Sequence, residues 1–283
     1  MNGMDAQVER YRRDGYLFLP GFFSRGEAAR WRGALPEVFA QDTPGRVMEA
    51  GSGVVRSVYG THAHHPLFAG MARDPRLVEL ARAVLESHVY VHQFKINAKQ
   101  AFGGEVWEWH QDYIFWRNED GMPENRVLNV VVFLDEVNEF NGPLLIIPGS
   151  HRHGVIASEQ RDDVEDGDEN APAWKSNVSA RLTYAITRDD VARLVGESGI
   201  VGPRGPAGSV LLFDANVVHG SSPNMSPFDR AVAIVTYNSV LNTPNPVATP
   251  RPEFLASRDY TPIVPLGEAE IDVASRDAEP VGA

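Results

Sequence analysis

Residues 126–149, RVLNVVVFLDEVNEFNGPLLIIPG, decide the fold. Arg126–Glu136 is apolar and β-branched and is bounded by turn residues, which suits a pleated, half-buried surface. Asn141-Gly142 is a hairpin signal leading to a second apolar run, Leu144–Ile147. Three more segments have the same character: Val89–Asn97, Ser209–Phe213 and Ala231–Val240. Upstream the pattern differs. A short helix is expected over 6–13, then a strand over Tyr16–Leu19. Ser24 and Glu27 form a capping box for a helix running to about Val38. A hairpin is expected around Gly51-Ser52-Gly53, and helical periodicity returns over roughly 64–86. Helices first and strands later, with few helices between strands, imply an antiparallel sandwich or barrel and not a parallel α/β sheet.

Composition narrows the function. The 283 residues contain no cysteine, which excludes disulfides, thiolate metal sites and cysteine nucleophiles. Any metal must be held by His, Asp or Glu. A formal net charge of -12 repels phosphate backbones, so nucleic acid is excluded as a partner, and acidic carrier proteins are disfavoured. The N-terminal segment MNGMDAQVERYRRDGY lacks a signal-peptide core, and no apolar stretch is long enough to span a membrane. A cytoplasmic protein acting on a small molecule is expected. Residues 158–170 (SEQRDDVEDGDEN) hold seven acids, too many to bury; they read as a surface loop, with a lid over a pocket as the sharper alternative.

The chemistry begins at His110-Gln111-Asp112. In an extended segment, side chains two apart share a side, so this imidazole and carboxylate can reach one ion. The pair alone is common by chance. His219 follows the strand Ser209–Phe213 and adds a third ligand type. Two histidines and one carboxylate form the facial triad of non-haem Fe(II) oxygenases, which leaves positions open for co-substrate and oxygen. Arg230 opens the next strand, and a turn through Pro223–Pro227 can return it antiparallel beside His219. Its guanidinium suits a 2-oxo acid's distal carboxylate through two parallel hydrogen bonds. A lone strand-start arginine is ordinarily solvated; the combination in this order is the specific signal. The cluster His62, His64, His65 has no matching carboxylate; His92 reads as structural, and His151 and His153, after a turn, as exposed or structural.

The order His-x-Asp, distant His, then Arg resembles the phytanoyl-CoA dioxygenase superfamily. Within it, Trp107-Glu108-Trp109-His110-Gln111-Asp112 through Trp116, Glu119-Asp120-Gly121-Met122-Pro123, Asn141-Gly142-Pro143-Leu144 and Ile147-Pro148-Gly149-Ser150-His151 resemble the ectoine hydroxylase branch. His92–Asn97, Ala101–Gly104 and Arg251-Pro252-Glu253 are still more similar to the free L-leucine 5-hydroxylase branch. The likeness spans about Asp14 to Ile263. It implies a mainly β, cupin-like double-stranded β-helix (jelly roll) with flanking helices, as one domain over 1–283. Helices would occupy 1–86, the core about 88–240, and an irregular tail 244–283. It also implies Fe(II), 2-oxoglutarate and O2, with succinate and CO2 released. His110, Asp112 and His219 would ligate iron, and Arg230, Ser221 and Asn97 would bind 2-oxoglutarate. Arg251 would meet the substrate's carboxylate, while Gln93, Trp116 and Phe213 line its pocket. Where the ectoine signature has Phe-Glu-Thr-Trp, this chain has Tyr113-Ile114-Phe115-Trp116. Two apolar groups there favour a free, leucine-like aliphatic amino acid over ectoine; ectoine, another cyclic amino acid or a larger natural-product scaffold are the alternatives. Asp112 distinguishes the chain from related halogenases, which lack that carboxylate, so hydroxylation is the expected outcome.

Overall fold

A computed structural model describes residues 3–49, 51–156, 159–160, 173–178 and 181–267. The segment 158–170, apart from Glu159–Gln160, therefore lies outside the described residues, as does the tail beyond 267.

Helices α1 (Gly3–Asp14), α2 (Arg25–Ala40), α3 (Pro66–Ala72) and α4 (Pro75–Leu85) precede most of the strands. The α2 capping box forms as read: Ser24 accepts from the Glu27 amide while Glu27 accepts from Ser24. The strands are β1 (Tyr16–Leu19), β2 (Arg46–Met48), β3 (Val55–Tyr59), β4 (Val89–Lys99), β5 (Trp107–His110), β6 (Val127–Phe133), β7 (Leu144–Ile146), β8 (Glu159–Gln160), β9 (Tyr184–Ala185), β10 (Val210–Asp214), β11 (His219–Ser221) and β12 (Arg230–Ser239). The large sheet runs β1-β10-β6-β12-β4-β3-β2, and a small sheet runs β5-β11-β7. The paired strands are antiparallel, and the architecture is a jelly roll.

Side-chain alternation explains why both faces of the large sheet are apolar. Val130 and Val132 of β6, Phe94 and Ile96 of β4, and Ala233 and Val235 of β12 pack with Trp31, Leu35, Phe68 and Leu77 of the helices. Their neighbours Val131, Phe133, Val232 and Ile234 turn inward, towards Ile146 and Val217. The functional cavity opens on this inner face.

Three local expectations are corrected. Asn141-Gly142 does turn, with Gly142 at φ +72°. It joins no hairpin, however, because β6 pairs only with β10 and β12 while β7 pairs with β11. Asn141 caps the loop by accepting from the Asn138 amide and donating to the Glu136 carbonyl, so the chain crosses between sheets. The His-x-Asp pair is not wholly on a strand: His110 ends β5, Gln111 is extended, and Asp112 starts a further helix, α5 (Asp112–Asp120). Likewise β12 lies in the opposite sheet from β11, so Arg230 does not return beside His219 as its strand partner. A last helix, α6 (Arg188–Ser198), is capped by Thr187 and also falls between strands. No helix among the described residues is long and apolar enough to cross a membrane.

Candidate active site

The small sheet places the two histidines. His110 and His219 are cross-strand partners of β5 and β11, with ring centroids 4.1 Å apart. Each ring is oriented by main chain: His110 Nδ1 lies 2.6 Å from the Glu108 carbonyl and His219 Nδ1 3.0 Å from the Val217 carbonyl. A carbonyl only accepts, so each Nδ1 carries the hydrogen and each Nε2 is left with a bare lone pair. Those Nε2 atoms converge on Asp112, at 3.5 Å and 3.7 Å from its two oxygens. The three side chains are buried, and their ligand atoms lie within 4.8 Å of one another.

Between the ligands, Gln111 is fully buried. It donates to the carbonyls of Gly154 and Asn216 and accepts from the Ile156 amide, so neighbouring loops brace the pair. Asp112 is braced in turn: Thr236 donates to Asn129 (2.7 Å), and Asn129 donates to Asp112 Oδ2 (2.8 Å). Burial works to raise the Asp112 carboxyl, but the charge of Lys95, with the two imidazoles beside it, holds it far below the usual carboxylate range. Burial, with help from His110, pulls His219 down to about 3, so both groups are in ligand form at neutral pH.

All ten side chains singled out from the sequence line one cavity between the sheets. Its empty volume is about 890 Å³ with the open mouth included. Among the buried polar atoms without a hydrogen-bond partner are Arg230 Nε, Ser221 Oγ and Asn97 Oδ1. Burial pulls Arg230 down to about 10, yet it remains cationic, and of its nitrogens Nη2 donates to the Gly142 carbonyl at 2.6 Å. A buried cation with a free Nε beside open hydrogen-bonding groups is costly unless an anion joins it. The residues thus fit Fe(II) at the triad and a carboxylate-bearing co-substrate at Arg230.

At the other part of the wall, Arg251 is paired with Asp120 by two hydrogen bonds, Nε to Oδ1 at 2.8 Å and Nη2 to Oδ2 at 2.6 Å. Gln93 donates to the Leu255 carbonyl. Phe115 and Trp116 both reach the cavity, whereas Ile114 packs beneath it with Leu182 and Tyr184. Sequence reading missed Lys95, which faces the cavity between Gln93 and Asn97; the two-residue strand period is the signal that identifies it. It also missed Asn129, the polar interruption of the apolar strand VLNVVVF. His62, His64 and His65 form no metal group among the described residues: His62 stacks on Phe94 outside the cavity. His151 and His153 make surface contacts, to the Arg12 carbonyl and to Glu197.

A jelly roll that aims two imidazoles and one carboxylate at a single point, with a guanidinium sealed in alongside, is the framework of the non-haem Fe(II), 2-oxoglutarate-dependent oxygenases. The chain belongs to the phytanoyl-CoA dioxygenase family, whose model matches residues 11–232. It is 42% identical over 264 residues to the L-proline trans-4-hydroxylase of Streptomyces griseoviridis, covering 93% of this chain and 96% of that one. It is 39% identical over 260 residues to the ectoine dioxygenase of Sphingopyxis alaskensis, covering 89% and 82%. The crystal structure of EctD from S. alaskensis with 2-oxoglutarate and 5-hydroxyectoine superposes with a TM-score of 0.75 at 37% identity, covering 89% of this chain and 83% of that one; the form with bound Fe gives 0.76 at 35%, covering 93% and 86%. The protein is a dioxygenase that uses Fe(II) and 2-oxoglutarate.

Proposed function

We propose that this dioxygenase hydroxylates an unactivated C–H bond of a small free amino acid with an aliphatic body, either leucine-like or a ring such as proline. The observation that carries the reading is one cavity lined by both Arg230 and Arg251 together with the apolar side chains Phe115, Trp116, Phe133 and Phe213. His110, Asp112 and His219 would hold Fe(II). Arg230 would clamp the distal carboxylate of 2-oxoglutarate, with Ser221 and Asn97 completing its hydrogen bonds. When bound, the metal, the keto acid and O2 would supply an oxidative decarboxylation that releases CO2 and puts one oxygen atom into succinate and the other into the substrate.

The chain's own part is placement. Asp120 takes the Nε/Nη2 edge of Arg251, which leaves the Nη1/Nη2 edge of the guanidinium for a substrate carboxylate. Phe115, Trp116 and Phe213 would pack the aliphatic body and keep water from the reacting carbon, while Gln93 supplies a polar contact. Phe115 stands where the ectoine signature carries a hydroxyl, which favours an apolar chain or ring over the polar ring of ectoine. The relatives support the amino-acid class, since those compared act on proline and on ectoine. The test is the purified chain with Fe(II) and 2-oxoglutarate, screened against L-proline, L-leucine, other free amino acids and ectoine. Succinate release and a mass gain of one oxygen are read together. Product from a free amino acid supports the proposal; product from ectoine alone, or from none of the panel, overturns it.

A further inference from the structure

Helix α5 starts at the candidate iron ligand Asp112 and ends at Asp120, the residue that grips Arg251. Eight residue steps at a rise of about 1.5 Å separate the two residues by roughly 12 Å along the helix axis. Trp116, halfway along, lines the cavity between them. Asp120 is poorly placed for helix stability. A carboxylate in the last turn opposes the negative end of the macrodipole, and this one is also buried. Burial alone would raise its pKa; His92, 3.3 Å away, and Arg251 together hold it below the ordinary range.

Arg251 needs such a partner. It lies on the segment after β12, where the described residues 240–267 form no helix or strand. That segment is tied to the same two elements that shape the pocket. Gly121, the left-handed cap of α5, accepts from the Asn245 amide, and a Cβ there would stand 2.4 Å from the Asn245 carbonyl oxygen. On β4, the His92 carbonyl accepts from the Ser257 amide and Gln93 donates to the Leu255 carbonyl.

We propose that Asp120, backed by His92, is a positioning residue that sets how far the Arg251 anchor stands from the metal, so that α5 acts as a rigid spacer deciding which substrate carbon is hydroxylated. The inference rests on the reading of Arg251 as the carboxylate anchor. Asp120→Asn keeps the shape and removes one acceptor and the charge; Asp120→Glu keeps the charge and lengthens the arm by one methylene.

Each variant is compared with wild type on the amino acid of the panel that the wild-type chain turns over. The readouts are the Michaelis constants for that amino acid and for 2-oxoglutarate, the position of the new hydroxyl by NMR, and the ratio of succinate to hydroxylated product. Asp120→Asn is expected to raise the constant for the amino acid about ten-fold or more, the loss of one charge-assisted hydrogen bond, and to move that for 2-oxoglutarate less than about two-fold. Asp120→Glu is expected to change the hydroxylated position or to release succinate without product. Unchanged constants and an unchanged position in both variants overturn the positioning role. So do equal rises in both constants with a lowered thermal midpoint, which mark a structural residue. Arg251→Lys separates the two readings. If it leaves the amino-acid constant untouched, the anchor itself is wrong; if it raises that constant while the Asp120 variants do not, only the spacer is wrong.

Discussion

Removing Asn129 tests whether the metal site is organised from behind, because Asn129 touches Asp112 and does not line the cavity. Its amide is completely buried, taking a hydrogen from Thr236 and giving one to Asp112 Oδ2 at 2.8 Å. Asn129→Leu keeps the volume and withdraws the donor. Asp112 is then free to rotate towards the Lys95 ammonium, whose charge already acts on it. A hydrogen bond to a charged group contributes about 1.5–3 kcal/mol. At about 1.4 kcal/mol per ten-fold, its loss weakens Fe(II) binding roughly ten- to hundred-fold, the range found for partners that orient metal ligands. Anaerobic calorimetric titration of the metal-free chain with Fe(II) measures this directly. Thr236→Val, which loosens Asn129 without removing its donor, is expected to fall between wild type and Asn129→Leu. Fe(II) affinity within about two-fold of wild type in Asn129→Leu would refute the reasoning, since outer partners of this kind normally show more.

Arg230→Lys keeps the charge but loses the fork, so the Michaelis constant for 2-oxoglutarate is expected to rise about ten- to hundred-fold, with the constant for substrate little changed; steady-state kinetics with each component varied decides it. Gly142→Ala places a Cβ 2.7 Å from the Ser222 carbonyl oxygen at φ +72°, where the Gly142 carbonyl also accepts from Arg230. It is expected to cost about 1–3 kcal/mol in a urea titration and to weaken 2-oxoglutarate binding, and a neutral outcome on both would count against this crossover. Burial pulls His62 down to about 4 and His219 to about 3. Unfolded histidines take their proton near about pH 6.5, so below that point the unfolded chain binds more protons and stability falls with pH until the folded values are reached. The thermal midpoint of the metal-free chain should therefore drop between about pH 6.5 and 4. His62→Gln should flatten part of that decline, and a midpoint constant across the window would show that neither ring is buried neutral.

Much of this molecule is legible in its residues because the signals are local. Ser24 and Glu27 announce the α2 cap, and the β-branched runs announce β4, β6, β10 and β12. What escaped depends on contacts between sheets. Asn141-Gly142 has hairpin chemistry, yet the loop is held by Asn141's own hydrogen bonds and delivers the chain to the opposite sheet. Helix α5 was hidden because its residues 113–116 are buried on all sides, so no polar face marks a helical period. The triad was readable as residue types in order, but not the cross-strand pairing of His110 with His219. The two bracing groups, Asn129 behind Asp112 and Asp120 behind Arg251, make their contacts at separations of 17 and 131 residues, which no local pattern encodes.

Anaerobic addition of 2-oxoglutarate to the Fe(II)-loaded chain, followed by visible absorption, addresses the pairing of metal and keto acid most directly. Wild type is expected to develop the charge-transfer band of a keto acid chelated to Fe(II), with one Fe(II) and one 2-oxoglutarate per chain, and His219→Ala should abolish it. A wild-type chain that binds 2-oxoglutarate equally well without metal, or a band that survives His219→Ala, would contradict the placement of iron on His110, Asp112 and His219.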